Sequence, residues 1–253
     1  MTITELKWHK RYKQQAGWTK QIRTYLYERA GFIYSKRILD VGCGTGVLES
    51  ELASTTDALI FGIDIDPVSL KFAKDRSPKA LYARGDANLL PYGKFTFDIT
   101  FCHFLLLWVT NPGKVCDEMV RVTSPGGAVI LFAEPDYGGR IDYPPDLEQV
   151  GELQVQSLRN QGADPFMGRK LAGLLSSSGL REIEYGVLGG QWELSNRSDE
   201  PNSEWEIISA DLAHIDVDPL LVERLRDIET SAWRTNNRIL YVSTFYAWGR
   251  VPS

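Results

Sequence analysis

The chain has 253 residues, 43% hydrophobic and 24% charged, the balance of a globular protein with one large domain or one domain carrying a sizeable insertion. Its net charge of −5 argues against nucleic acid, its longest apolar stretch (residues 101–109) is too short to cross a bilayer, and no apolar segment follows the basic N-terminal residues as a secretion signal requires. Three cysteines (Cys43, Cys102, Cys116) and three histidines (His9, His103, His214) show no metal-ligand spacing, so no metal site is expected and the thiols suit a reducing cytoplasm.

Residues 6–30 read as one helix, with Gly31 as its stop. Its surroundings are basic: from Lys7 to Arg37 nine Lys/Arg face a single acid, Glu28. Short aliphatic runs then alternate with helical patterns. Residues 37–41, 58–64, 80–84, 97–102 and 128–133 are predicted strands, and 46–53, 67–75 and 112–121 are predicted helices. Strand alternating with helix implies a parallel, doubly wound α/β sheet. Two later strands, at 180–188 and 239–248, complete the pattern. Residues 187–240 are long for a connection and carry helical patterns at 203–213 and 219–235, so an insertion with its own structure is expected there. Asp218-Pro219 is a helix start, an N-cap acid before a proline at the first helical position. From Glu134 to Glu229 twenty acids face eight Lys/Arg, which disfavours a groove that tracks phosphates.

The strongest chemical signal is Ile38-Leu39-Asp40-Val41-Gly42-Cys43-Gly44-Thr45-Gly46: an apolar strand ending in an acid, three glycines spaced two apart, then a helix. Glycines at such a turn let the backbone bend sharply and approach a ligand, with the helix N-terminus aimed at it. The dinucleotide fingerprint wants glycine at its sixth position, for close helix packing and pyrophosphate contact. Val47 stands there instead, which points to a ligand without pyrophosphate. The next strand ends at Asp64, about twenty residues on, where a carboxylate accepts hydrogen bonds from ribose hydroxyls. Asp66-Pro67 follows as N-cap and first helical residue, so Asp64 is assigned to a ligand and Asp66 to capping. Asp86 lies just past the third strand, where it suits an adenine amino group, and Val122-Thr123-Ser124-Pro125-Gly126-Gly127 reads as a turn before the fifth.

With these elements in place the chain resembles the class I S-adenosylmethionine-dependent methyltransferases, in motif style the branch containing the ubiquinone and menaquinone C-methyltransferases. ILDVGCGTG, GIDID, GDANLLPY, FDITFC and SPGG carry the resemblance, over about residues 36 to 134. It implies a seven-stranded sheet in the order 3-2-1-4-5-7-6 with strand 7 antiparallel, and S-adenosylmethionine across the carboxyl edges of strands 1 and 4. It implies that Asp40, Gly42, Cys43 and Gly44 line the methionyl part, Asp64 the ribose, Ile65 the adenine face, and Asp86 and Ala87 the adenine edge. Cys102 and His103 would pass below the sulfonium. Residues 1–30 would form a helical lid, with Arg11, Tyr12, Gln15 and Trp18 on one face and Trp18 toward the cofactor.

Residues 1–253 then form a single methyltransferase domain, with residues 187–240 a helical cap insertion between strands 6 and 7. Such a domain would methylate a small molecule, without nucleic-acid or membrane partners. His103 is the candidate base, and Glu134, Asp136, Tyr137, Arg140 and Tyr143 are candidate acceptor contacts. Trp192, Trp205 and Trp233 would cap the site or form the insertion's core. The residues leave two other readings open, a nicotinamide-dependent oxidoreductase and a binding protein that holds the cofactor without catalysis.

Overall fold

In the computed structural model, residues 3–189 and 200–253 are described. Seven strands, β1 (Arg37–Val41), β2 (Leu59–Asp64), β3 (Leu81–Arg84), β4 (Phe97–Cys102), β5 (Thr123–Tyr143), β6 (Arg181–Val187) and β7 (Ile239–Arg250), form one sheet in the order β3-β2-β1-β4-β5-β7-β6. The pairs β1–β2, β1–β4, β2–β3 and β4–β5 are parallel, and β6–β7 is antiparallel. This is the sheet expected of the class I methyltransferases. Because β1 is flanked by β2 on one side and β4 on the other, the winding reverses beside it, and the carboxyl ends of β1 and β4 frame the crevice where such sheets bind ligands.

The described helices are α1 (Ile3–Trp18), α2 (Lys20–Ala30), α3 (Val47–Leu52), α4 (Pro67–Arg76), α5 (Pro112–Val122), α6 (Glu148–Asn160), α7 (Leu171–Ser177), α8 (Glu200–Leu212) and α9 (Pro219–Arg234). No described helix is long and apolar enough to cross a membrane. One helix was expected over residues 6–30. The structure corrects this, with a bend at Thr19 (φ −96°, ψ 3°) separating α1 from α2. Of the expected turn at 122–127, Val122 ends α5 and the remainder lies inside β5. There the register against β4 shifts between Phe97 and Ile99, and Gly126 sits at φ 77°.

The chain divides into two compact units. The first comprises Met1–Glu134, Gly168–Leu188 and Phe245–Ser253. On one face of its sheet, Ile38, Ile60, Ile99, Phe101, Ile130 and Phe132 pack with Leu26, Phe32, Leu48 and Leu52. The alternation follows from the strand period: Asp40 shares the face of Ile38, while Leu39 and Val41, also fully buried, point the other way.

The second unit comprises Pro135–Met167 and Gly189–Thr244. It therefore joins most of the 187–240 segment to a stretch after the middle of β5. Leu147, Val150, Trp205, Ile208, Leu212 and Leu225 make its core, which places Trp205 as a packing residue. Trp192 lies outside the described residues. Asp218 caps α9 by accepting from the Leu220 amide at 2.9 Å. Beside this core runs a buried ionic network. Arg238, fully buried, donates from Nη2 to Asp142 Oδ1 (2.7 Å) and from Nε to Glu229 Oε2 (2.7 Å). Arg140 also grips Asp142 (2.5 Å) and donates to Gln154, which reaches Asp211 Oδ2 (2.7 Å).

Removing one partner of a buried ion pair leaves uncompensated charge in a low-dielectric interior. Arg238→Met, which removes the only cation bonded to Glu229 among the described residues and leaves Asp142 with Arg140, is expected to destabilise the protein by about 3–5 kcal/mol in denaturant unfolding. A loss below 1 kcal/mol would show the network to be solvated.

Candidate cofactor-binding site

The glycine turn joins β1 to α3 and is held from β2. Ile63 O accepts from the Gly42 amide (2.8 Å) and the Cys43 amide (3.1 Å). Asp64 Oδ2 accepts from the Gly44 amide (2.8 Å), and its Oδ1 from the Asp66 amide (2.9 Å). One carboxylate thus ties the turn to the start of α4. Asp66 caps that helix, accepting from the amides of Val68 (3.0 Å) and Ser69 (3.1 Å). The division of labour expected for these two acids is visible in their contacts.

Glycine is required at this turn for two reasons. Gly42 has φ 78°, and a Cβ there would lie 2.7 Å from Leu105 Cδ1 of the turn after β4. Gly46, φ 75°, lets α3 start against α4, since its Cβ would meet Ala73 Cβ at 2.9 Å. Val47, by contrast, packs against the hydrophobic core.

Beneath the turn lie two buried carboxyls. Asp40 (2% exposed) stands between Gly62 of β2 and Phe101 of β4, and Glu49 (fully buried) comes from α3. Glu49 packs on the β2 backbone so closely that a Cβ on Gly62 would sit 2.6 Å from its Oε1. Asp40 Oδ1 and both Glu49 oxygens lack a hydrogen-bond partner among the described residues. Burial, reinforced for Asp40 by the neighbouring Glu49 and Asp64 charges, raises Asp40 well above the usual carboxylate range. Burial also pushes Glu49 up to about 8. The other titratable groups facing the pair are Cys43 in the turn and Tyr82 on β3, both raised by burial first and then by Glu49.

At the end of β4 the chain turns through Phe104, held at φ 53°, a conformation that bulky residues seldom adopt. Glu134, fully buried, stabilises this turn by accepting from the amides of Leu105 (2.9 Å), Leu106 (2.6 Å) and Leu107 (3.1 Å). Burial pushes its carboxyl up to about 8, with the three amides pulling the other way. Its oxygens are thus committed to the backbone. Cys102 is buried in the strand. His103 Nε2 lies 2.9 Å from Thr19 Oγ1, at the bend between α1 and α2. Burial, then the Arg23 cation, pushes the imidazole down to about 3, so the ring is neutral at physiological pH.

The remaining expected residues lie at the same carboxyl edge. Ile65 is 64% exposed after β2, and Arg84 Nε donates to its carbonyl (3.1 Å). Asp86 is exposed past β3, its Oδ1 accepting from the Asn88 amide (2.8 Å) and side chain (2.9 Å), which holds its pKa low; Ala87 lies between the two. The α1 residues that meet the glycine turn are His9 and Tyr12. His9 Nδ1 is 2.9 Å from Thr45 Oγ1, and the Tyr12 ring lies 3.1 Å from where a Gly44 Cβ would be. Burial, then Asp64 and Asp66, pushes Tyr12 up to about 12. Trp18 is not drawn to the turn. It is 49% exposed, with the Arg11 guanidinium 4.5 Å from its ring centroid. His9, Glu49 and Thr19 are not among the residues expected from the sequence. Spacings of three and seven residues from Tyr12, which keep one helix face, were the available signal for His9 and Thr19.

Residues 39–131 match the model of a family described as methyltransferase domain. The chain is 34% identical over 124 residues to demethylmenaquinone methyltransferase of Renibacterium salmoninarum, covering 48% of this chain and 52% of that one. It is 27% identical over 223 residues to malonyl-[acyl-carrier protein] O-methyltransferase of Hamiltonella defensa, covering 73% and 86%. The chain spans about half the length of the demethylmenaquinone methyltransferases it matches. Among solved structures, phosphoethanolamine N-methyltransferase 2 of Haemonchus contortus, in complex with S-adenosyl-L-methionine, shares the fold at TM-score 0.56 and 19% identity over 86% of this chain and 49% of that one. So does the [4+2]-cyclase SpnF, at TM-score 0.58 and 21% identity over 92% and 81%. The matched stretch holds the glycine turn, Asp64 and the end of β4, which lie where the sheet topology puts a ligand.

A carboxyl with a raised pKa is protonated in the native state at pH values where the unfolded chain has already lost the proton, so its stabilisation is present at low pH and lost as pH rises through the native value. For Glu49 the window runs from 4.5 to about 8. Glu49→Gln is expected to raise the melting temperature at pH 8 more than at pH 5. Equal shifts at both pH values would mean that Glu49 is ionised throughout.

Proposed function

We propose that this protein transfers a methyl group from S-adenosylmethionine to a small-molecule acceptor. The observation that carries the reading is the glycine turn clamped by Asp64 above an orphaned, buried Asp40 oxygen, at the sheet's switch point. That arrangement fits the group. The turn admits close backbone approach, Asp64 presents a carboxylate to ribose hydroxyls, and Asp40, held protonated by burial and the neighbouring acids, is a carboxyl whose ionised form a cationic ligand would favour. Gly42, Cys43 and Gly44 would hold its methionyl part, Ile65 and Ala87 the adenine faces, and Asp86 the adenine amino group. Cys102 contributes backbone at the end of β4. When bound, the sulfonium supplies an already activated methyl group.

What remains for the chain is to position the acceptor in line and exclude water. His103, neutral and fixed at the end of β4, offers a lone pair to the acceptor's O–H or N–H and adds no positive charge beside a sulfonium. Tyr12 and His9 close α1 over the turn against water. The sequence from Glu134 to Glu229 carries twenty acids against eight Lys/Arg, which favours a small molecule over a polyanion. Three buried free thiols suit a reducing, cytoplasmic setting. The core-packed Val47 weighs against a nicotinamide cofactor, whose fingerprint needs glycine there.

S-adenosylmethionine is expected to raise the melting temperature and bind in calorimetry, whereas NADH does neither. Asp64→Ala loses charge-assisted hydrogen bonds worth roughly 1.5–3 kcal/mol each and weakens binding at least tenfold. Asp66→Ala loses a cap worth about 1 kcal/mol of stability and binds nearly as well as the wild type. Binding of NADH without S-adenosylmethionine would refute the reading.

A further inference from the structure

Thr19 is an unusual residue at which to bend a helix pair. It is 1% exposed, and its side chain does not cap α2. Its hydroxyl lies 3.1 Å from the Gln15 carbonyl and 3.4 Å from that of Ala16, in reach of the preceding turn of its own helix. The same oxygen faces His103 Nε2 at 2.9 Å and accepts from Arg23 Nη1. Arg23, also 1% exposed, is fixed in turn. Nη1 donates to the Ala16 carbonyl (2.5 Å), and Nη2 and Nε donate to Glu51 Oε2 (2.5 Å) and Oε1 (3.3 Å). Glu51 further accepts from the Tyr27 hydroxyl (3.1 Å). A continuous chain of polar contacts therefore runs from α3 through α2 and the bend to the end of β4.

We infer, on the reading given above, that Thr19 and Arg23 are positioning residues for His103: the hydroxyl holds Nε2, the guanidinium holds the hydroxyl, and together they lock the imidazole to the bend of the N-terminal helix pair. A threonine hydroxyl has one hydrogen. Directed at the Gln15 carbonyl, it leaves Oγ1 to accept from both Arg23 and the Nε2–H of His103. Nδ1 then carries the lone pair, and it has no partner among the described residues. The ring is in this way presented as an acceptor in a single orientation.

Two consequences follow for the reaction. Arg23 is the charged group that faces the ring, so protonating His103 would put a second cation beside the buried Arg23 and a third charge beside a sulfonium. His103 thus orients a hydrogen on the acceptor and does not store a proton at equilibrium. Because the hydroxyl belongs to the bend, α1 also takes its place over the glycine turn only with the imidazole correctly set.

Nitrogen-15 NMR of the full-length protein reads this directly, with His103 identified among the three histidines by His103→Asn. In the wild type His103 is expected to stay neutral from pH 8 down to pH 5, as the Nε2–H tautomer. Thr19→Val should abolish that preference and give exchange-averaged tautomers. Arg23→Met combined with Glu51→Gln, which removes the cation without stranding its carboxylate, should raise the His103 midpoint by at least one pH unit. A wild-type His103 that titrates near 6.5, or a tautomer unchanged in Thr19→Val, overturns the inference. Calorimetry with S-adenosylmethionine on the same wild-type sample separates the two levels. Binding with a freely titrating His103 defeats the positioning role alone, whereas absence of binding defeats the functional reading whatever His103 does.

Discussion

The site rests on one carboxylate. Asp64 ends β2 and accepts two backbone amides, that of Gly44 in the glycine turn and that of Asp66 at the start of α4. Without it, three successive glycines in left-handed conformations would have too many alternatives to hold one turn, because glycine loses more freedom on ordering than any other residue. With it, the end of β1, the N-terminus of α3 and the N-terminus of α4 are fixed to one another. The same residue is also the proposed ribose acceptor, so scaffold and ligand contact meet in one side chain.

The opposite wall follows a matching logic. Where Asp64 gathers amides at the end of β2, Glu134 gathers three at the turn after β4. That turn pushes Leu105 against Gly42, so the two walls touch through a contact that only glycine allows. Between them the sheet buries Asp40 and Glu49, with Asp40 Oδ1 and both Glu49 oxygens unpartnered among the described residues, an arrangement costly for folding alone and consistent with the proposed cationic ligand. The [4+2]-cyclase that shares this fold is a reminder that the sheet fixes where chemistry happens, and side chains decide which chemistry.

Much of this was legible in the amino-acid order because its determinants are local. The acid-ended strand and glycine spacing located the turn, Asp66-Pro67 announced the cap of α4, and Asp218-Pro219 that of α9. What stayed hidden depends on partners far apart in sequence. Arg23 and Arg238 are buried because Glu51, Glu229 and Asp142 arrive from other elements. Gly17 precedes the bend at Thr19 by two residues, but the contact that the bend makes, with His103, comes from 84 residues away. The α6 helix escaped notice because its buried face includes Gln154 and Ser157, both bonded to Asp211, so its inward side is not apolar. Glu134 looked like an acceptor contact because its position at the sheet edge was readable and its three amide partners were not.

The central claim is that the glycine turn and the end of β2 bind S-adenosylmethionine as one unit. Amide hydrogen exchange, followed by mass spectrometry with and without the cofactor, measures this by location. Slowing on cofactor addition is expected to concentrate in residues 40–46 and 64–66, with a second segment at 102–107, while α6 and α9 are unchanged. Protection confined to the second unit, or none at saturating cofactor, would contradict it.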